Sequence, residues 1–182
     1  ILGFAISRLI AAKKHPDMIR ERARTLDHGD TKGFDKILAP LAGFGSAIVL
    51  FVAGLDGLFR WTQPFSLWVK IAALVVILAG YAWSSWALIE NRFFSGVVRI
   101  QKERGHEVVS TGPYAVMRHP GYAGALLLYL GTPFFRDSWW TLIPSVLLIS
   151  VLVLRTGLED KALQAEPPGY REYAGRVRCR LM

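Results

Sequence analysis

The chain has 182 residues, 52% of them apolar, with a mean hydropathy of +0.31 and a formal net charge of +8. That length is one domain's worth, and a single cysteine, Cys179, excludes an intrachain disulfide framework and any multi-cysteine metal site. The four histidines are not at metal-ligand spacing, so no metal is expected, and the positive charge lies between apolar blocks, which favours membrane topology over nucleic-acid binding.

In chain order, residues 1–12 are apolar except for Ser7 and Arg8. They are too short for a span of about 20 residues, and are expected to be a truncated or partial first span. Residues 13–36 carry mixed charge, with Pro16, Gly29 and Gly33 as breaks, a short surface helix over 17–24, and His28 as a solvated loop histidine. Residues 37–59 read as a full span whose Gly43, Gly45, Gly54 and Gly57 allow close helix approach. Asp56 and Arg60 are spaced for an i,i+4 ion pair at its far end. A short turn follows, with Trp61 and Trp68 in an aromatic belt. The next span covers 65–89, and Lys70 can snorkel to the interface.

Residues 93–111 predict a small β-hairpin or two extended arms about Lys102–Gly105, with His106 just after the turn. Then comes Gly112-Pro113-Tyr114-Ala115-Val116-Met117-Arg118-His119-Pro120-Gly121-Tyr122-Ala123-Gly124. Gly112-Pro113 is a turn signal. Pro120 suits the first helical position, which puts Arg118 and His119 beside a helix N-terminus and its unpaired N–H groups, a setting that favours anions. Residues 120–135 and 138–154 predict a hairpin of two short spans, with Trp139 and Trp140 anchoring its outer end. Arg155 and Glu159 are four apart and read as an interfacial ion pair. Pro167-Pro168-Gly169 ends that helix, and a basic tail with Tyr170 and Tyr173 runs to Met182, where the chain is expected to continue.

Lysine and arginine alternate between the loops. Residues 13–36 hold seven, 91–120 hold five and 155–182 hold six, whereas the intervening loops hold Arg60 and Arg136 alone. Eighteen against two is a positive-inside pattern. It places loops 13–36 and 91–120 and the C-terminus on the cytoplasmic side, with the Arg-His-Pro box and the acidic pair Glu159-Asp160 on one face. The fold expected is an all-α integral membrane protein of about five transmembrane helices. It forms a single domain, with spans in 1–90 and a loop, hairpin and tail in 91–182.

The Gly-Pro-Tyr turn, the Arg118-His119-Pro120-x-Tyr122-x-Gly124 box and Arg155-x-x-x-Glu159-Asp160-x-x-Leu163 resemble the isoprenylcysteine carboxyl methyltransferase family, with its phospholipid N-methyltransferase relatives. The likeness covers roughly residues 89–182. That family usually carries two glutamates where this chain has Glu159-Asp160. The resemblance implies a multi-pass membrane enzyme that uses S-adenosyl-L-methionine. It implies Arg118 and Glu159 as catalytic residues, and a cofactor site from His106, Gly112, Pro113, Tyr114, His119, Pro120, Tyr122, Glu159 and Asp160.

Such a cofactor carries a carboxylate, an ammonium and a sulfonium, so it needs an N–H-rich end, an acidic group and an apolar slot. Arg118 would hold either its carboxylate or an anionic substrate. The acceptor implied is lipophilic: the carboxylate of an isoprenylcysteine-like or isoprenoid acid, or else an amine or thiol. The compact chain with its minimal loops fits a prokaryotic plasma membrane better than the endoplasmic reticulum. Two other classes remain open: a nicotinamide-dependent membrane reductase of the same superfamily, and a non-catalytic protein whose basic faces hold anionic lipid.

Overall fold

The computed structural model describes residues 2–23, 29–166 and 168–181. Arg24, His28, Pro167 and Met182 lie outside the described residues. The helices are α1 (Leu2–Lys14), α2 (Pro16–Ala23), α3 (Asp35–Phe59), α4 (Leu67–Glu90), α5 (Pro120–Phe135), α6 (Leu142–Ala165) and α7 (Tyr170–Arg176). Short 3-10 turns occupy Lys102–Arg104 and Gly112–Ala115.

Among the described residues three helices, α3, α4 and α6, are long and apolar enough to cross a membrane. They expose large apolar side chains such as Phe44, Phe51, Trp68 and Leu147, which suits lipid and not water. The 13 residues of α1 and the 16 of α5 fall below that length. At 1.5 Å per residue α5 is about 24 Å long. The hairpin expected as two short spans is therefore unequal. Its second helix runs on through Arg155 and Glu159 to Ala165, because nothing in 155–165 breaks the helix.

The tightest packing joins α4 to α5. A Cβ on Gly80 would meet Gly124 O at 2.6 Å and Leu127 Cβ at 2.7 Å, so only glycine lets these backbones approach. The Ser84 hydroxyl donates to Gly121 O at 2.9 Å. The α3 helix packs on α6, where Val49, Leu126, Leu148 and Leu152 form a core that Leu181 of the tail joins.

At the end remote from Arg118, Lys70 pairs with Asp137 at 2.7 Å, and Trp61, Phe65, Trp139 and Trp140 form an aromatic cluster. Asp56 does not pair with Arg60. Arg60 caps α3 in a left-handed conformation (φ 55°), and the carboxylate instead accepts from Thr62 N at 2.8 Å and Thr62 Oγ1 at 2.7 Å.

Among the described residues there is no β-strand. Among those residues the arms flanking Lys102–Gly105 meet only where His106 N donates to Gln101 O at 3.2 Å and Gln101 N to the His106 ring, and otherwise find partners elsewhere. Arg99 reaches Glu21 at 2.8 and 3.1 Å, Asp30 at 2.7 Å, and Glu103. The wholly buried Gln101 donates from Nε2 to Phe93 O at 2.8 Å. The expected β-hairpin is not found among the described residues; the two arms carry no regular secondary structure and are tied down by side chains.

Candidate functional site

The box is held by the tail. Pro120 opens α5 with His119 at its N-cap position. The backbone N–H groups of Arg118 and His119 donate to Cys179 O at 2.9 Å and Arg180 O at 3.1 Å. The His119 ring does not cap the helix. It turns to Asp160, with Nε2 3.4 Å from Oδ1.

Asp160 is a hub. It accepts from Arg118 Nε (2.8 Å) and Nη2 (3.1 Å), Tyr170 Oη (2.9 Å) and Gln164 Nε2 (2.7 Å). Arg118 is equally committed to the protein, since its Nη1 donates to the carbonyl oxygens of Ala174, Val177 and Arg178 at 3.4, 2.9 and 3.2 Å. The pair thus binds the box, the end of α6 and the tail into one unit. Burial and the neighbouring Asp160 carboxylate push the Tyr170 hydroxyl well above its ordinary value, so it stays protonated and a donor.

Glu159 is placed differently. It is half-buried, and among the described residues its one hydrogen-bond partner is the Tyr122 hydroxyl, which donates to Oε2 at 2.7 Å. The expected Arg155–Glu159 ion pair is not formed. Arg155 reaches the fully buried Asp35 at the start of α3, 120 positions away, through Nε–Oδ1 (2.5 Å) and Nη2–Oδ2 (2.8 Å). Its Nη2 also donates to Gly96 O at 2.8 Å, and Asp35 Oδ2 accepts from Val98 N at 2.6 Å. The guanidinium lies 5.5 Å over the Tyr122 ring. A bidentate, fully buried partner outcompetes a half-buried one a helical turn away.

These groups surround a cavity of about 430 Å³, within the range of small-molecule sites. Of the residues singled out from the sequence, His106, Tyr114, Arg118, His119, Tyr122 and Glu159 line it. Gly112, Pro113, Pro120 and Asp160 are not in its lining. Gly112 (φ 56°) makes the turn against Trp86 and Glu90, Pro113 and Pro120 are buried, and Asp160 faces Arg118.

The His106 ring stacks on Phe93 at 4.6 Å, and its Nδ1 accepts from Gln101 N at 3.2 Å. Burial, then the cations Arg104 and Arg99, hold it below the ordinary histidine value. Neutral His106 can keep accepting at Nδ1, which fits that shift.

Sequence reasoning missed Asp35, Phe93 and Phe94. The Phe94 ring stands so close to Gly121 that a Cβ there would be 2.7 Å away. The one available signal for Asp35 was an acid opening an otherwise apolar run. Among the described residues, no group of three His, Cys, Asp or Glu side chains could hold a metal.

The sequence model of the phospholipid methyltransferase family matches residues 66–166, which run from the cap of α4 through the box to the end of α6. The chain belongs to that family. Over 66 residues it is 35% identical to protein-S-isoprenylcysteine O-methyltransferase B of Arabidopsis thaliana, covering 36% of this chain and 34% of that protein. It is 31% identical over 97 residues to protein-S-isoprenylcysteine O-methyltransferase of Saccharomyces cerevisiae, covering 53% and 36%. It is 37% identical over 103 residues to the uncharacterized protein YpbQ of Bacillus subtilis, covering 56% and 60%. The aligned segments thus span about a third of those two methyltransferases' own length.

Proposed function

We propose that the chain is an S-adenosylmethionine-dependent methyltransferase that works where the bilayer meets the cytoplasm, on a lipophilic acceptor. The observation that carries this reading is the single cavity joining Glu159, His119 and His106 to an apolar arm between α3 and α5. Family membership and the names of the plant and yeast relatives support it. In this reading α1 and α5 enter the membrane with the three long helices, which makes five. Loops 13–36 and 91–120 and the tail are cytoplasmic, and a prokaryotic plasma membrane is the setting.

The residues suit the cofactor. Glu159 has one carboxylate oxygen held by Tyr122 and borders the cavity, so it meets the ammonium or the ribose hydroxyls. The stacked Phe93–His106 rings offer a flat face for a base. Tyr114 and Tyr122 wall the slot, while Gly112, Pro113 and Pro120 hold the backbone around it. S-adenosylmethionine, when bound, supplies an electrophilic methyl group on sulfur.

The protein's part is positioning and the exclusion of water, since a carboxylate nucleophile needs little proton transfer. Arg118 acts mainly through Asp160, by fixing the box and the tail. The acceptor proposed is the carboxylate of an isoprenylcysteine-like or isoprenoid acid, as the relatives' names indicate. The family's description favours a second acceptor, the amine of a phospholipid headgroup.

Labelled methyl transfer to total membrane lipid and to S-prenyl-cysteine acids, with mass identification of the product, tests this and separates the two acceptors. Stabilisation by a nicotinamide nucleotide and not by S-adenosylhomocysteine would replace this reading with a reductase. Stabilisation by neither would leave a lipid-binding protein.

A further inference from the structure

The cavity continues beyond its polar end. Its wall on α5 runs from Tyr122 to Tyr129, and its wall on α3 from Ala39 to Ser46. Seven residues at 1.5 Å each give about 10 Å of slot on either side. Ala39, Ala42, Gly43 and Ala125 line it, all small, so the slot has width without polar groups. Gly43 and the neighbouring Phe44 are exposed on the surface that α3 turns outward. The arm therefore lies in the apolar zone and is continuous with the site around Glu159.

At its far end Ser46 Oγ and Tyr129 Oη are 2.6 Å apart. The Ser46 hydroxyl donates to Ala42 O at 2.8 Å. Serine has one proton to give, so Tyr129 is the donor in the bond between them. That bond is a crossbar from α5 to α3. On its far side Val49, 1% exposed, packs into the core with Leu126 and Leu148. A hydroxyl pair in an apolar slot is costly to separate, so an entering hydrocarbon does not readily push it apart.

We propose that the Ser46–Tyr129 crossbar is the length stop for the hydrocarbon tail of the acceptor, which lies in this arm while its reacting headgroup sits by Glu159. The inference rests on the proposed function. It adds that these two residues select the length of the acceptor's tail. Tails up to the stop gain contact with every added carbon. Longer tails have to buckle or leave the slot.

The test is binding of N-acetyl-S-geranyl-, S-farnesyl- and S-geranylgeranyl-cysteine to the full protein in nanodiscs, with S-adenosylhomocysteine present. Each variant is first checked for a cooperative thermal transition. The wild-type protein should show a length optimum. Y129A should move it at least one isoprene longer, with the longest ligand gaining tenfold or more. S46F, which thickens the stop from the opposite wall, should move it shorter, so the idea remains testable if either variant fails to fold. An unchanged length order in the folded variants overturns the proposal. So does the absence of saturable binding of every ligand by the wild-type protein. In that case S-adenosylhomocysteine binding alone decides whether the methyltransferase reading falls with it.

Discussion

Arg118 and Asp160, 42 positions apart in the chain, are joined by two hydrogen bonds of 2.8 and 3.1 Å, and both side chains are almost wholly buried. This contact brings the Arg-His-Pro box to the end of α6 and leaves the neighbouring Glu159 facing the cavity.

Replacing Arg118 by alanine strands the Asp160 carboxylate and frees the tail carbonyls. Removing one partner of a buried pair costs about 3–5 kcal/mol. The R118A variant should lose thermal stability and cofactor affinity together, and limited proteolysis should release residues after 170. R118K keeps the charge but not the bidentate geometry, and should recover only part of the stability. A variant that keeps its melting temperature and cofactor affinity but loses turnover would instead assign Arg118 to the substrate.

Asp35 and Arg155 should behave as a coupled unit. D35L or R155M alone leaves a buried charge without its partner, at a cost of about 3–5 kcal/mol each. The double variant D35L/R155M should be less damaged than the sum of the singles, by more than the roughly 0.5 kcal/mol expected of independent sites. Urea unfolding of the four proteins in detergent checks this. Additive losses would show that the two residues act separately.

The loop carrying His106 should loosen in acid. Its folded value lies below the ordinary 6.5, so the unfolded chain takes up protons first as pH falls. The histidine's contribution is then full above about 6.5 and is lost as pH drops through the lower folded value. Hydrogen exchange in residues 93–111, corrected for intrinsic rates, should rise between about pH 7.5 and 5.5. H106F keeps the stack on Phe93, loses the titrating group, and should abolish that rise.

The helix approach at Gly80 and Gly124 should be intolerant of a single methyl. A Cβ on Gly80 would overlap Gly124 O and Leu127, and overpacking of that kind costs about 1–3 kcal/mol. G80A should lower the melting temperature, whereas G54A, with nothing within 4 Å of its added carbon, should leave it unchanged.

What the sequence made legible was local or repeated. The block pattern marked α3 and α4, and Pro120 located the start of α5. The Arg118 and Glu159 segments could be paired because each carried a motif. Asp35 could not be matched to Arg155 in the same way, since an acid 120 residues from its partner has no periodicity linking the two. Nor could Arg99 be matched to Glu21, because side-chain capture across a fold leaves no local trace. The expected hairpin failed for a related reason. The Val and Ile residues on either side of Lys102–Gly105 favour extended backbone, but do not say which partner that backbone finds. The end of α6 was legible, because Pro167-Pro168-Gly169 stops a helix whose polar last turns keep helical spacing.

The central claim is that Glu159, beside the Arg118–Asp160 pair, borders a nucleotide site. Isothermal titration of S-adenosylhomocysteine into the wild-type protein and E159Q tests it most directly. The account predicts one saturable site in the wild-type protein. In a folded E159Q, loss of a charge-assisted contact worth about 1.5–3 kcal/mol should weaken affinity by roughly tenfold to a hundredfold. Absence of saturable heat with the wild-type protein, or equal affinity in the two, would contradict it.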